Sequence, residues 1–188
     1  MSRETQIIVG QIRLLIHYIR KAGGSDSDLA AATGIDPAEA EDPDFPVSLE
    51  NYVRLWQYAV EVTGDPALGL FLGTKHNREM LGLGKRVAQY SKDLREALNH
   101  WKTYTWMTSE IRREEESVVI SHNVPFPVSC SVPAIEYEIA VAYCYACHIS
   151  SCVIPLTEVH FRHPAPDYAG TYRDIFHSKA FLTRKKTL

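Results

Sequence analysis

The stretch 132–150, VPAIEYEIAVAYCYACHIS, decides the fold. At 3.6 residues per turn, Ile135, Ile139, Ala142, Tyr143 and Ala146 fall on one stripe. Val141, Cys144 and Tyr145 lie off that stripe and are also largely apolar. A helix that is apolar on nearly every side belongs in the middle of a domain, with other elements covering it all round. The same helix carries two carboxylates, Glu136 and Glu138.

Working outward toward the C-terminus, TEVHFRH at 157–163 alternates, with Val159 and Phe161 on one side and His160 and Arg162 on the other. That period of two predicts a half-buried strand. Residues Pro164 to His177 read as a helix, and KAFL at 179–182 begins a last strand. Toward the N-terminus, 109–115 and 118–123 read as a hairpin, because the link is polar and VVISHNV is β-branched. Before it, a helix is expected from about Asp93 to Met107, with Leu94, Leu98 and Trp101 on one face. Gly82 and Gly84 open the segment that leads to Ser91.

The first third of the chain is helical. Ile8, Ile12, Leu15, Ile16 and Ile19 share one face, and Gly23-Gly24 ends that helix. A short helix from Ser27 to Thr33 follows, then a loop over 36–47 with three prolines and five acids. Ser48 is an N-cap for a helix that turns Leu49, Tyr52, Val53, Trp56 and Val60 inward and closes at Gly64. Asp65 caps another short helix with Pro66 at its first position. Helices first and mixed elements afterwards predict an α+β domain: a helix-rich N-terminal part, then a small mixed or antiparallel sheet packed with the central buried helix. At 188 residues the whole chain, 1–188, is read as one domain.

Composition excludes several classes of function. Net charge is -3 and the sequence pI about 6.2, whereas nucleic-acid-binding domains typically exceed a pI of about 9. No run approaches the roughly 20 apolar residues of a membrane span. The opening MSRETQIIVGQIRLL carries acid and polar residues inside its apolar run, unlike a secretory signal. A cytoplasmic protein with no membrane attachment is therefore expected. Its four cysteines, Cys130, Cys144, Cys147 and Cys152, are read as reduced thiols.

Several motifs point to chemistry, and each has a plainer reading. Cys144-Tyr145-Ala146-Cys147-His148 satisfies C-x-x-C-H, the pattern of covalent haem attachment. Such attachment needs export, and a reactive thiolate is favoured at a helix N-terminus rather than inside an apolar helix. We read these cysteines as buried helix residues and expect no cofactor. His160 and His163 stand three apart, which on a strand puts them on opposite faces, so no metal site is expected. Residues 27–41 resemble half of a helix-turn-helix, yet from Ala22 to Val53 there is no Lys or Arg and there are eight acids. Phosphate would be repelled. The G-x-S-x-G, Walker and G-x-G-x-x-G patterns do not occur, so the chain is read as non-catalytic. Two rival readings remain: a haem or gas-sensing domain using His148 or His100, and a small stand-alone enzyme whose scattered site has no sequence signature.

Residues 35–73, IDPAEAEDPDFPVSLENYVRLWQYAVEVTGDPALGLFLG, resemble the N-terminal, arabinose-binding-like domain of AraC/XylS transcription regulators. The features that carry the likeness are the turn from Gly34 to Pro37 and the tract Thr63-Gly64-Asp65-Pro66-Ala67-Leu68-Gly69-Leu70 with Leu72-Gly73. Leu81-Gly82-Leu83-Gly84 and the run Ser91, Leu94, Ala97, Leu98 support it. So does VHFRHPAP at 159–166 with Tyr172 and Phe176. The resemblance spans most of 34–182 and implies a domain that binds a small-molecule effector, forms a homodimer, or both. It also implies that DNA is met only through a separate C-terminal helix-turn-helix domain, absent from these 188 residues, so that the chain is expected to be the front of a longer regulator.

Residue chemistry adds a candidate pocket. WKTYTW at 101–106 sets Trp101 and Tyr104 on one helical face, and the central helix adds Tyr143 and Glu136. A pocket between these helices, with Glu136 as its polar anchor, matches the mostly apolar character of ligand sites. The alternative is that these aromatics simply form core.

Overall fold

Helix α1 (Arg3–Lys21) forms on the three-and-four spacing seen in the sequence, and its Ile12, Leu15, Ile16 and Ile19 are buried. In this computed structural model the described residues are 3–42, 44–75, 90–93, 96–97, 108–113, 118–123, 128–178 and 180–183. Helix α2 (Asp26–Thr33) begins slightly earlier than the sequence suggests, because Ser25 is the cap: its Oγ accepts from the Asp28 N–H at 3.1 Å. Beyond α2 the acidic loop makes a single 3₁₀ turn, Glu39–Glu41. Arg13 of α1 holds that turn, donating from Nε to the Ala40 carbonyl at 2.8 Å and from Nη2 to the Glu41 carbonyl. The helix-turn-helix look-alike therefore has no second helix.

Helix α3 (Leu49–Thr63) starts as expected, with Ser48 Oγ accepting from the Asn51 N–H at 3.1 Å. Its buried face is Tyr52, Leu55, Trp56 and Ala59. Val53 and Val60, expected fully inward, lie only partly buried on the flank. Gly64 ends α3 in the left-handed region at φ 64°. Asp65 then caps the next turn, its Oδ1 accepting from the Ala67 N–H at 2.9 Å. Pro66 and Ala67 form a turn, so helix α4 is described over 68–75.

The central helix α5 (Val132–Ser150) is buried on both sides. Ala134, Tyr137 and Val141 join the core made by α1, α2, α3 and α4, centred on Trp56. Ala140 and Tyr143 join a second core with Leu70, Val159, Phe161, Tyr172 and Phe176. The all-round apolar character of 132–150 is thus explained by two cores, one on each side.

Strands β1 (Thr108–Arg113) and β2 (Val118–Asn123) pair antiparallel, with Ile111 opposite Ile120. Strands β3 (Glu158–Phe161) and β4 (Ala180–Thr183) pair parallel, with Val159 opposite Phe181. Among the described residues these are two separate two-stranded sheets. The parallel pair follows from its connection, which crosses over through helix α6 (Gly170–Phe176). That helix is half the length expected from sequence. Pro164 and Pro166 lack the N–H a helix needs, and 167–169 forms turns instead, with Ala169 N–H on Pro166 O at 3.0 Å and Thr171 N–H on Tyr168 O at 2.9 Å. The class remains α+β. No helix among the described residues is long and apolar enough to cross a membrane.

Candidate functional site

Two residues along a helix are about 200° apart around its axis, so Glu136 and Glu138 leave α5 in opposite directions. Glu138 enters the helical core. Gln11 of α1 donates from Nε2 to Glu138 Oε1 at 2.8 Å, and Tyr52 of α3 donates its hydroxyl to Gln11 Oε1. All three side chains are buried, at 4%, 2% and 0% exposure. Burial, then the nearby Glu138 charge, pushes the Tyr52 hydroxyl up. This chain of hydrogen bonds ties three helices together.

Glu136 enters the second core and is fully buried. Tyr168, in the turn before α6, donates to both of its oxygens, at 3.1 Å and 3.0 Å. Tyr172, one turn further on, donates to Oε1. The two tyrosine rings meet edge to face at 6.3 Å, and Tyr172 stacks on Phe161 of β3 with centroids 4.9 Å apart. Burial raises the Glu136 carboxyl from 4.5 to about 7, while the hydroxyls of Tyr172 and Tyr168 pull it down. Burial also lifts both hydroxyls, and the Glu136 charge lifts them further, with Asp65 adding to the effect at Tyr168. Close by, His163 packs on the same Phe161 ring at 4.9 Å, and its Nδ1 meets the Pro164 carbonyl at 2.9 Å. Its Nε2 is buried with no hydrogen-bond partner.

Of the residues expected to form the pocket, Glu136 and Tyr143 lie two turns apart on α5 and both face α6. Tyr143 packs on Phe176 at 5.5 Å and donates its hydroxyl to the Ile154 carbonyl at 3.1 Å. Cys147 Sγ receives the N–H of the same Ile154 at 3.4 Å, so Tyr143 and Cys147 fasten the chain where it turns out of α5. Cys144 is half-buried and His148 exposed. Trp101 and Tyr104 lie outside the described residues. The sequence reading missed Tyr168, Tyr172 and Gln11. Tyr168 and Tyr172 stand at the i, i+4 spacing that brings side chains together, which was the available signal.

Residues 23–186 match the model of the N-terminal arabinose-binding domain of AraC transcription regulators. The chain belongs to that family. It is also 26% identical over 174 residues to the ornithine utilization regulator of Pseudomonas aeruginosa, an alignment covering 89% of this chain and 51% of the relative. The chain thus spans about half the length of that curated relative.

Within this arabinose-binding domain the tract that first suggested the family has a packing reason. A Cβ on Gly69 would lie 2.0 Å from the Pro133 carbonyl oxygen, and one on Gly73 would lie 2.7 Å from that of Tyr137. Helix α4 lies directly on the backbone of α5, and only glycine at these two positions lets it do so. Their spacing, four residues apart, puts both on one face of α4.

Proposed function

We propose that this arabinose-binding domain takes a small-molecule effector at Glu136 and pairs with a second copy of itself, thereby controlling a DNA-binding module carried elsewhere in the regulator. It acts in the cytoplasm, without catalysis, and meets DNA only through that separate module. The observation that carries this reading is Glu136: a fully buried carboxylate held by two tyrosine hydroxyls, in a domain belonging to a family of regulators. Carboxylates are seldom fully buried unless paired, and perturbed ones cluster at functional sites. In this reading Tyr143 meets the apolar part of the ligand, and Trp101 and Tyr104 are candidates for the same role by residue type.

A thermal-shift screen against amino acids, amines, sugars, fatty acids and nucleotides tests it, because a ligand of the folded state raises the melting temperature by mass action. The relative named for ornithine utilization puts ornithine among the first compounds. A stabilising compound whose effect is weakened in Tyr143→Ala supports the pocket as drawn. A Tyr143→Ala variant that loses stability but responds to the compound as the parent does assigns that tyrosine to the core. Light scattering on the chain, with and without the stabilising compound, tests the pairing.

A further inference from the structure

We propose that the effector carries a positively charged ammonium or guanidinium group and that Glu136 receives it, with Tyr168 as the side chain that moves aside to admit it. This rests on the effector reading above and names the class of ligand that the site selects.

The polar groups around Glu136 define the choice. Its partners are two neutral hydroxyls, so the carboxylate is hydrogen-bonded, but among the described residues no cation matches its charge. The side-chain ion pairs among the described residues join Arg20 to Asp26 and His160 to Glu158, and neither reaches Glu136. His163 packs on the same Phe161 ring as Tyr172; with its Nδ1 facing a carbonyl, the neutral ring carries its proton there and a lone pair on Nε2, which is buried with no hydrogen-bond partner among the described residues. Asp65 contributes a second negative charge on the Tyr168 side. The rings beside the carboxylate are those of Tyr168 and Tyr172, with Phe161 stacked on Tyr172; aromatic faces attract cations. An anionic ligand would meet like charge. A neutral one draws nothing from the carboxylate's charge, whereas a cation stabilises the ionised form.

Access follows from the bond geometry. The Tyr168 hydroxyl has one proton shared between two oxygens, so it sits on the carboxylate as a loose cap. Tyr168 is only half-buried and stands in a turn rather than within α6. Rotation of this one side chain opens Glu136 toward solvent, while Tyr172 stays packed on Phe161 and keeps the carboxylate oriented.

The test compares compounds of one size and different charge. Thermal unfolding and titration calorimetry on the chain are run with butylamine, putrescine, L-ornithine and L-arginine, and with 1-butanol, 1,4-butanediol and succinate, each to 10 mM. At least one cation raises the melting temperature, and Glu136→Gln weakens its binding tenfold or more. Tyr168→Phe keeps the ring but removes the competing hydroxyl, so it binds the same cation as tightly as the parent or severalfold more tightly. This second variant decides the matter if Glu136→Gln unfolds: a tenfold loss in Tyr168→Phe overturns the proposal. A neutral or anionic compound that binds in place of the cations, or cation binding unchanged in Glu136→Gln, overturns the charge assignment and leaves the effector reading standing. Silence from all of these compounds and from the wider metabolite screen overturns both.

Discussion

Glu136 and Glu138 stand two residues apart on one helix, both buried, in opposite surroundings. Glu138 is gripped from within the helical core, through an amide on α1 that is itself held by a tyrosine on α3. Glu136 is held by two tyrosines from a short stretch of turn and helix, one of them half-exposed. The first arrangement joins three packed helices through buried side chains. The second ends on a side chain that reaches the surface. Both carboxylates are buried, so what separates them is the exposure of their partners.

The change that breaks both sides at once is Gly69→Ala. The new methyl group meets backbone rather than a flexible side chain, so α4 must move off α5. Since α4 contributes Leu68 and Leu72 to one core and Leu70 to the other, both cores open. A loss of about 3–5 kcal/mol is expected, the range of exceptional single substitutions. Chemical denaturation reads it; a loss under about 1 kcal/mol would mean that the close approach of α4 and α5 is not required.

Gln11→Leu breaks only the Glu138 side. Leucine fills similar space but removes one buried hydrogen bond from Tyr52 and one from Glu138. A cost of about 1–3 kcal/mol follows from the two bonds lost, one of them to a carboxylate. The pH dependence of stability that arises from Glu136 should survive this change unaltered, since the two networks sit on opposite sides of α5. If that dependence vanishes with Gln11→Leu, the two glutamates are coupled and the contrast drawn here fails.

The sequence reading and the structure agree where periodicity is strong and local. The face of α1, the Ser48 cap, the alternation at 157–163 and the central place of 132–150 were legible, because each depends on residues within a turn or two of one another; on α3 Tyr52 and Trp56 are buried as expected, but Leu55 and Ala59 take the inward places expected for Val53 and Val60. The end of the chain was less legible. Pro164–His177 carries helical spacing, but the missing N–H groups of two prolines confine the helix to Gly170–Phe176. Parallel pairing of β3 with β4 could not be read from either strand, since it depends on where the crossover lies. For the site, Glu136 was singled out as a carboxylate in an apolar helix, but its holders are more than 30 positions away. Gln11 sits beside an apolar stripe and faces a partner 127 positions along the chain. Nothing local marks such pairs.

The smallest effect, and the one that isolates the Glu136 side, comes from Glu136→Gln. The folded carboxyl titrates near 7 and an unfolded one near 4.5. Between those values the folded chain holds a proton that the unfolded chain has released, so stability falls as pH rises through this window and levels off above it. The full difference corresponds to at most about 3 kcal/mol. Glutamine keeps the shape and accepts from Tyr172 and Tyr168 through its carbonyl, but never ionises. The variant should therefore match the parent near pH 4.5 and exceed it at pH 8 by about 1–3 kcal/mol, a rise of several degrees in melting temperature for a chain of this length. A ligand-free protein that gains stability by losing this charge keeps the carboxylate at a cost, as expected of a group retained to bind something else. If Glu136→Gln is instead less stable than the parent at pH 8, the ionised carboxylate contributes to folding, and Glu136 joins Glu138 as a structural residue.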